Sequence, residues 1–223
     1  MGRATPLETV ERTTGDAVTA SVVWLHGLGA DGNDFVPLVD ELTQSAPQGI
    51  RFVFPHAPEQ AVTVNGGMRM PAWYDIRGLG PGGIDEDEAG LEQARQQVEA
   101  LLHRERERGV AADRLILAGF SQGAATALYT ALHAETPPAG IIALSGWLPA
   151  GQGPDTAAGR PPIFQAHGDQ DTIVPPELGR QAARALAEAG FAVDWHTYPM
   201  EHAVCMPEIQ QLDEWLSGLL ASG

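Results

Sequence analysis

Residues 115–128 run Leu115-Ile116-Leu117-Ala118-Gly119-Phe120-Ser121-Gln122-Gly123-Ala124-Ala125-Thr126-Ala127-Leu128. The first four form an apolar run that predicts a buried strand, and residues 122–133 predict a helix. Between them stands Gly-x-Ser-x-Gly. Strand, pentapeptide and helix in that order describe a nucleophile elbow, a turn tight enough to hold the serine in a strained conformation with its hydroxyl exposed. Positions two before and two after Ser121 must be small in such a turn, and both are glycine. The helix start aims backbone N–H groups at any negative charge forming beside Ser121. The bland alternative is a glycine-rich turn that happens to hold a serine; the flanking strand and helix argue against it.

Outward from the elbow, strand-like and helix-like segments alternate. Val18–Leu25 is apolar and β-branched and predicts a strand, as do 51–54, 114–118, 140–144, 162–166 and 191–198. Helices are expected over 34–43 (Phe35, Leu38, Val39 and Leu42 at helical spacing), 122–133, 176–189 and 207–220. The clearest helix is Asp85–Arg108, with Leu91, Ala94, Val98, Leu101 and Leu102 on one stripe. Its first turn is acidic, its last is basic, and Gly109 stops it. Repeated β-then-α order implies an α/β fold: a mainly parallel sheet with helices on both faces, in a single domain over residues 1–223. Residues 55–84 break the alternation with clustered prolines and glycines. Within them, Val62 to Met70 carries an Asn65-Gly66 turn between short extended runs, a hairpin signal. A connection this long is usually functional. Val62, Val64, Met68, Met70 and Trp73 either wall a substrate groove or cover the sheet edge. Trp147, just after strand 140–144, joins Met68, Met70 and Trp73 as a substrate-binding candidate.

Composition excludes several functions. The net charge is −16, and all 13 basic residues are arginine. Phosphate binding needs basic patches, so no nucleic-acid partner is expected, and without lysine there is no Schiff-base chemistry. The acidity reflects either a high-salt habitat or arginine-for-lysine drift; both readings stand. No apolar run approaches the roughly 20 residues of a membrane span, so no stable membrane insertion is expected. Met1–Glu11 lacks an apolar signal core. The single cysteine, Cys205, rules out an intramolecular disulfide, and no Cys/His spacing suggests a metal site. A cytoplasmic enzyme without metal or cofactor is the expectation.

A serine hydroxyl is a weak nucleophile, so Ser121 needs a base and the base an orienter. In a doubly wound sheet these belong in loops just after strands, in the order serine, acid, histidine. Asp169 and Asp171 both follow strand 162–166. His202 follows strand 191–198. His167 comes too early in that order and His196 lies inside a strand. Cys205, three residues after His202, is not in an elbow. A tetrahedral intermediate also needs two N–H donors. One comes from Gln122, and the other belongs to the glycine-rich loop His26-Gly27-Leu28-Gly29-Ala30-Asp31-Gly32. That loop lacks the Lys-Ser/Thr of a P-loop and does not match G-x-G-x-x-G.

These residues together resemble the phospholipase/carboxylesterase family of α/β-hydrolases, which includes small bacterial carboxylesterases and acyl-protein thioesterases. The resemblance runs over nearly the whole chain. It rests on Leu25–Gly32, Pro71-Ala72-Trp73-Tyr74-Asp75, Gly119–Gly123, Ala143-Leu144-Ser145-Gly146, His167–Asp171 and Tyr198–His202. It implies an α/β-hydrolase fold with a small hairpin lid. It makes Ser121 the nucleophile, Asp171 the orienter and His202 the base, with Leu28 and Gln122 supplying the oxyanion N–H groups. Glu201 stands where the family more often has glycine. The expected function is a serine carboxylesterase that cleaves short- to medium-chain carboxylic esters, small-molecule substrates, through an acyl-enzyme. An acyl-protein thioesterase or lysophospholipase-type hydrolase is the alternative within the fold. A non-catalytic binding module on a hydrolase scaffold is the alternative class. Exposed apolar side chains in the hairpin suggest a homodimer.

Overall fold

A computed structural model of the chain describes residues 7–43, 49–80, 83–149 and 159–221. In chain order these form β1 (Thr9–Thr13), β2 (Ala20–Leu25), β3 (Ile50–Pro55), β4 (Glu59–Val62), β5 (Met68–Pro71), β6 (Ile76–Gly80), β7 (Gly83–Glu86), α1 (Glu88–Glu107), β8 (Leu115–Phe120), α2 (Gln122–His133), β9 (Gly140–Leu144), β10 (Ile163–Gly168), α3 (Pro176–Glu188), β11 (Val193–Tyr198) and α4 (Met206–Ala221). Seven strands make one sheet in the order β1-β3-β2-β8-β9-β10-β11. β1 is antiparallel to β3 and every other neighbouring pair is parallel.

Alternation along each strand divides the core into two layers. Val23, Leu25, Val53, Leu117, Ile141 and Ile163 pack with the buried stripe of α1, with α2 and with Leu186 of α3. Val22, Trp24, Phe52, Phe54, Ile116, Ile142 and Phe164 pack on the other face with α4 and with Phe35, Val39 and Leu42. Because helices or turns cover both faces, β2, β8 and β9 are apolar almost throughout, as parallel strands require. Parallel pairing also brings the carboxyl ends of β2, β8, β9, β10 and β11 to one edge, and the site is built there.

The structure departs from the sequence-based expectation in four places. Residues 34–43 form turns around a short 3₁₀ segment, Val36–Leu38. Pro37 has no N–H to give a helix, and most of the bonds here span three residues, such as Leu38 N–H to the Phe35 carbonyl. α1 starts at Glu88, and Asp87 caps it by accepting the Gly90 N–H at 3.1 Å. Asp85 and Glu86 belong instead to β7. β1 is too polar to show an apolar pattern. It is tied to the sheet by backbone pairing and to α1 by Glu11, which meets Arg108 at 2.9 Å and Arg104 at 3.2 Å. Finally, 55–84 holds two hairpins: the expected one, β4–β5, and a second, β6–β7.

Candidate active site

Ser121 sits at φ 56° and ψ −121°, between β8 and α2. A non-glycine residue held there costs of order 1–3 kcal/mol and persists only where its surroundings over-determine it. Its N–H donates to the Leu144 carbonyl at 2.9 Å. The flanking glycines are explained by contact. A Cβ on Gly119 would lie 2.3 Å from the Gly123 backbone, and one on Gly123 would lie 2.3 Å from the Leu25 carbonyl oxygen. The elbow is thus wedged against the loop that leaves β2.

His202 reaches Ser121 from the loop between β11 and α4. Its Nε2 is 2.9 Å from Ser121 Oγ and its Nδ1 is 2.6 Å from Asp171 Oδ2. The Phe120 ring, 4.8 Å away centroid to centroid, supports the imidazole. Asp171 is buried, and its other oxygen, Oδ1, accepts the N–H groups of Ile173 and Val174, both at 2.9 Å. Those donors fix the orientation of the carboxylate. The serine, imidazole and carboxylate therefore lie in one hydrogen-bonded row. Asp169 and Glu201 are exposed, His196 pairs with Asp194 at 2.8 Å on β11, and none of them joins the row.

The second wall is the loop after β2. Gly27 runs against the elbow, since a Cβ on it would stand 3.5 Å from Ser121 Cβ. The loop is pinned by His26. Its Nε2 accepts the Ala57 N–H at 3.0 Å, so its proton sits on Nδ1 and is donated to the Gly27 carbonyl at 2.7 Å. Burial pushes His26 below its ordinary range, which keeps the ring neutral. Gln122 opens α2, so its N–H has no carbonyl partner inside the helix. Its buried side chain accepts the Trp73 N–H at 3.0 Å and donates to the Tyr74 carbonyl at 2.7 Å. Trp73 Nε1 in turn donates to the His26 carbonyl at 2.8 Å.

A cavity of about 490 Å³ opens over Ser121. Leu28, Val64, Ile76, Leu79, Ile84, Phe120, Trp147, Ile173 and Val174 give it an apolar lining, and Gln122 and His202 also border it. Trp147 is positioned by its indole N–H, which donates to Glu86 at 2.8 Å; Tyr74 donates to the same carboxylate at 2.6 Å. Of the four residues expected to bind substrate, the structure brings only Trp147 to this cavity. Met68 points outward with 64% exposure. Met70 packs beneath the loop, 3.7 Å from where a Gly29 Cβ would stand. Trp73 is buried as the brace of that loop. The hairpin contributes Val64 and Asn65, from its turn, and the unforeseen β6–β7 hairpin contributes Ile76, Leu79 and Ile84. Residues around Leu79 show glycines rather than alternation, so no sequence pattern announced them. Among the described residues no cluster of His, Cys, Asp or Glu is placed to hold a metal, and no helix is long and apolar enough to cross a membrane.

The chain matches the family described as phospholipase/carboxylesterase over residues 8–220. It is 36% identical to acyl-protein thioesterase 1 of Neurospora crassa over 211 residues, 89% of this chain and 86% of that protein. The crystal structure of Arabidopsis thaliana SOBER1 superposes with a TM-score of 0.85 at 29% identity, covering 91% of this chain and 100% of that one. The crystal structure of Zea mays acyl-protein thioesterase 2 superposes with a TM-score of 0.79 at 27% identity, over 96% and 99% of the two chains.

Proposed function

Because the chain belongs to the phospholipase/carboxylesterase family of α/β-hydrolases, a family of hydrolases that act on esters, we propose that it is a serine carboxylesterase for short- to medium-chain carboxylic esters. One observation carries the mechanism: a single imidazole bridges a strained serine hydroxyl at 2.9 Å and a buried carboxylate at 2.6 Å. Ser121 Oγ attacks the acyl carbonyl while His202 Nε2 takes its proton. The N–H groups of Leu28 and Gln122 hold the oxyanion of the tetrahedral intermediate. Collapse breaks the bond to the alcohol, which leaves with the proton from His202. Water then attacks the acyl-enzyme with the same base, releasing the acid and restoring Ser121. Asp171 keeps the Nδ1–H tautomer and offsets the imidazolium charge. The apolar cavity receives the acyl chain.

A second reading, hydrolysis of thioesters, is supported by relatives named acyl-protein thioesterase. Both are tested together with p-nitrophenyl butyrate and its acyl thioester counterpart. The expected result is turnover of the oxygen ester and labelling of Ser121 by a fluorophosphonate. In Ser121→Ala labelling disappears and kcat falls by about 10⁶. A faster thioester rate would move the assignment to the second reading. A wild-type protein that neither turns over nor labels would remove both.

A further inference from the structure

His167, passed over as a base because it precedes the acid in the chain, lies fully buried at the end of β10, beside the carboxylate that faces His202. Its Nε2 is 2.9 Å from the Val174 carbonyl oxygen and 3.4 Å from Asp171 Oδ2. A carbonyl oxygen only accepts, so the ring proton sits on Nε2. Nδ1 is buried without a hydrogen-bond partner, as an unprotonated ring nitrogen facing backbone would be. What it faces is Gly179. A Cβ on that glycine would stand 2.4 Å from Nδ1 and 3.1 Å from Cε1.

Gly179 lies inside α3, where glycine is disfavoured relative to alanine. The contact supplies the reason for it: only a residue without a side chain leaves room for the imidazole. Gln165 Nε2, donating to the Gly179 carbonyl at 2.8 Å, holds that turn of helix in place. A helix residue, a strand residue and a buried polar ring are thus arranged around one N–H aimed at the Asp171–Val174 turn.

We propose that His167 is a positioning residue for the acid of the site: its Nε2–H fixes the 171–174 turn through the Val174 carbonyl and lends a second imidazole N–H to the same Asp171 oxygen that His202 uses. The proposal rests on the reading of Asp171 and His202 given above. For this role the second imidazole must stay neutral, since a charge on it would oppose His202 as His202 takes its proton. Burial pushes His167 below the ordinary histidine range, in that direction. The titratable groups that face it are Asp171, on its own loop, and His202, from the β11–α4 loop. α3 presents the Gly179 backbone and β11 presents the uncharged Trp195 ring.

The test compares His167→Leu, His167→Gln and Gly179→Ala with the wild type, using p-nitrophenyl butyrate across about pH 5 to 9. Leu removes the N–H. The turn loosens, and kcat falls about tenfold to a hundredfold with KM unchanged. Without its second donor, the carboxylate holds the proton on His202 more strongly, so the acid limb of kcat/KM moves up by roughly half a pH unit. Gln, whose Nε2 reaches a similar position, restores most of kcat and returns the limb. Gly179→Ala pushes the ring aside and reproduces the Leu phenotype in kind, which keeps the test open if the Leu variant does not fold. An unmoved acid limb in His167→Leu, or a Gln variant no better than Leu, overturns the proposal. Ring ¹⁵N spectra give a readout that does not need turnover. A His167 that remains neutral and Nε2-protonated over the same range supports the assignment, and one that titrates overturns it. A wild type inactive on the ester and unlabelled by fluorophosphonate would instead remove the hydrolase reading itself.

Discussion

Asp169 and Asp171 are two residues apart and live in different media. Asp169 is exposed, whereas Asp171 is buried with two backbone N–H groups on one oxygen and His202 on the other. Asp171→Asn is expected to lower kcat by about 10⁴ by favouring the wrong imidazole tautomer. Asp169→Asn is expected to leave it within a few-fold; steady-state kinetics on one ester, with the two severities reversed, would transfer the role of orienter. Glu208 makes a separate prediction. Its carboxyl is fully buried in the first turn of α4, with one oxygen accepting the Cys205 N–H at 3.3 Å and the other unpartnered. Burial pushes its pKa up to about 8, from 4.5 in the free acid. A folded-state value above the unfolded one means that the folded chain holds the proton more tightly. Stability therefore falls as pH rises through that window. Glu208→Gln, which cannot ionise, is expected to raise Tm by about 3 °C or more at pH 8 and to change it little near pH 4.5; an equal gain at both values would place the effect elsewhere. Residue type and chain order were enough to nominate Ser121, His202 and two aspartates. Which aspartate is buried, and that Trp73 braces a loop instead of lining the cavity, depend on the direction each side chain takes, and periodicity in an irregular stretch does not carry that.

Most of the elements that could be read from sequence carry an apolar run or an apolar stripe. α1 and α2, and the strand β8 between them, show clear apolar spacing because their surroundings demand it. β1 and the β6–β7 hairpin were silent: the first is a polar edge strand, and the second is glycine-rich with a register shift at Ile76/Gly78. The 34–43 segment misled for the opposite reason. Its apolar residues are spaced for a helix, and Phe35, Val39 and Leu42 are buried, but Pro37 lets turns satisfy the same spacing. The β4–β5 hairpin shows how one element serves two tasks. Its turn lends Val64 to the cavity, and the chain leaving β5 braces the loop after β2 through Trp73. Trp73→Phe keeps an aromatic ring but shrinks it and deletes the N–H, leaving the His26 carbonyl unpaired in a buried place. The expected result is a kcat about tenfold lower with KM unchanged, because that loop carries the proposed oxyanion donor. Met68→Ser, on the outer side of the same hairpin, should alter neither; loss of activity there would mean that Met68 itself reaches substrate.

At the scale of the whole molecule the dominant quantity is charge. The chain carries 29 acidic and 13 basic residues. Several of the arginines are engaged around α1, where Arg51, Arg104 and Arg108 surround Glu11 and the buried Glu105. Uncompensated carboxylates repel one another over a Debye length that shrinks from about 30 Å at 0.01 M salt to about 3 Å at 1 M. Tm is expected to rise across that range in NaCl and not with a non-ionic osmolyte, while kcat on a neutral ester changes little. A flat profile would assign the acidity to compositional drift. The placement of His202 has a consequence of another kind, in time. Ser121 and His202, its proposed base, are 81 residues apart, with the histidine later. At about 5–20 residues per second, a ribosome adds His202 roughly 4 to 16 seconds after Ser121. During that interval the nascent chain holds a serine and nothing to activate it. On the proposed mechanism, any message cut short between the two codons yields a protein that contains the elbow and hydrolyses nothing, so turnover in a cell would report only chains translated past His202.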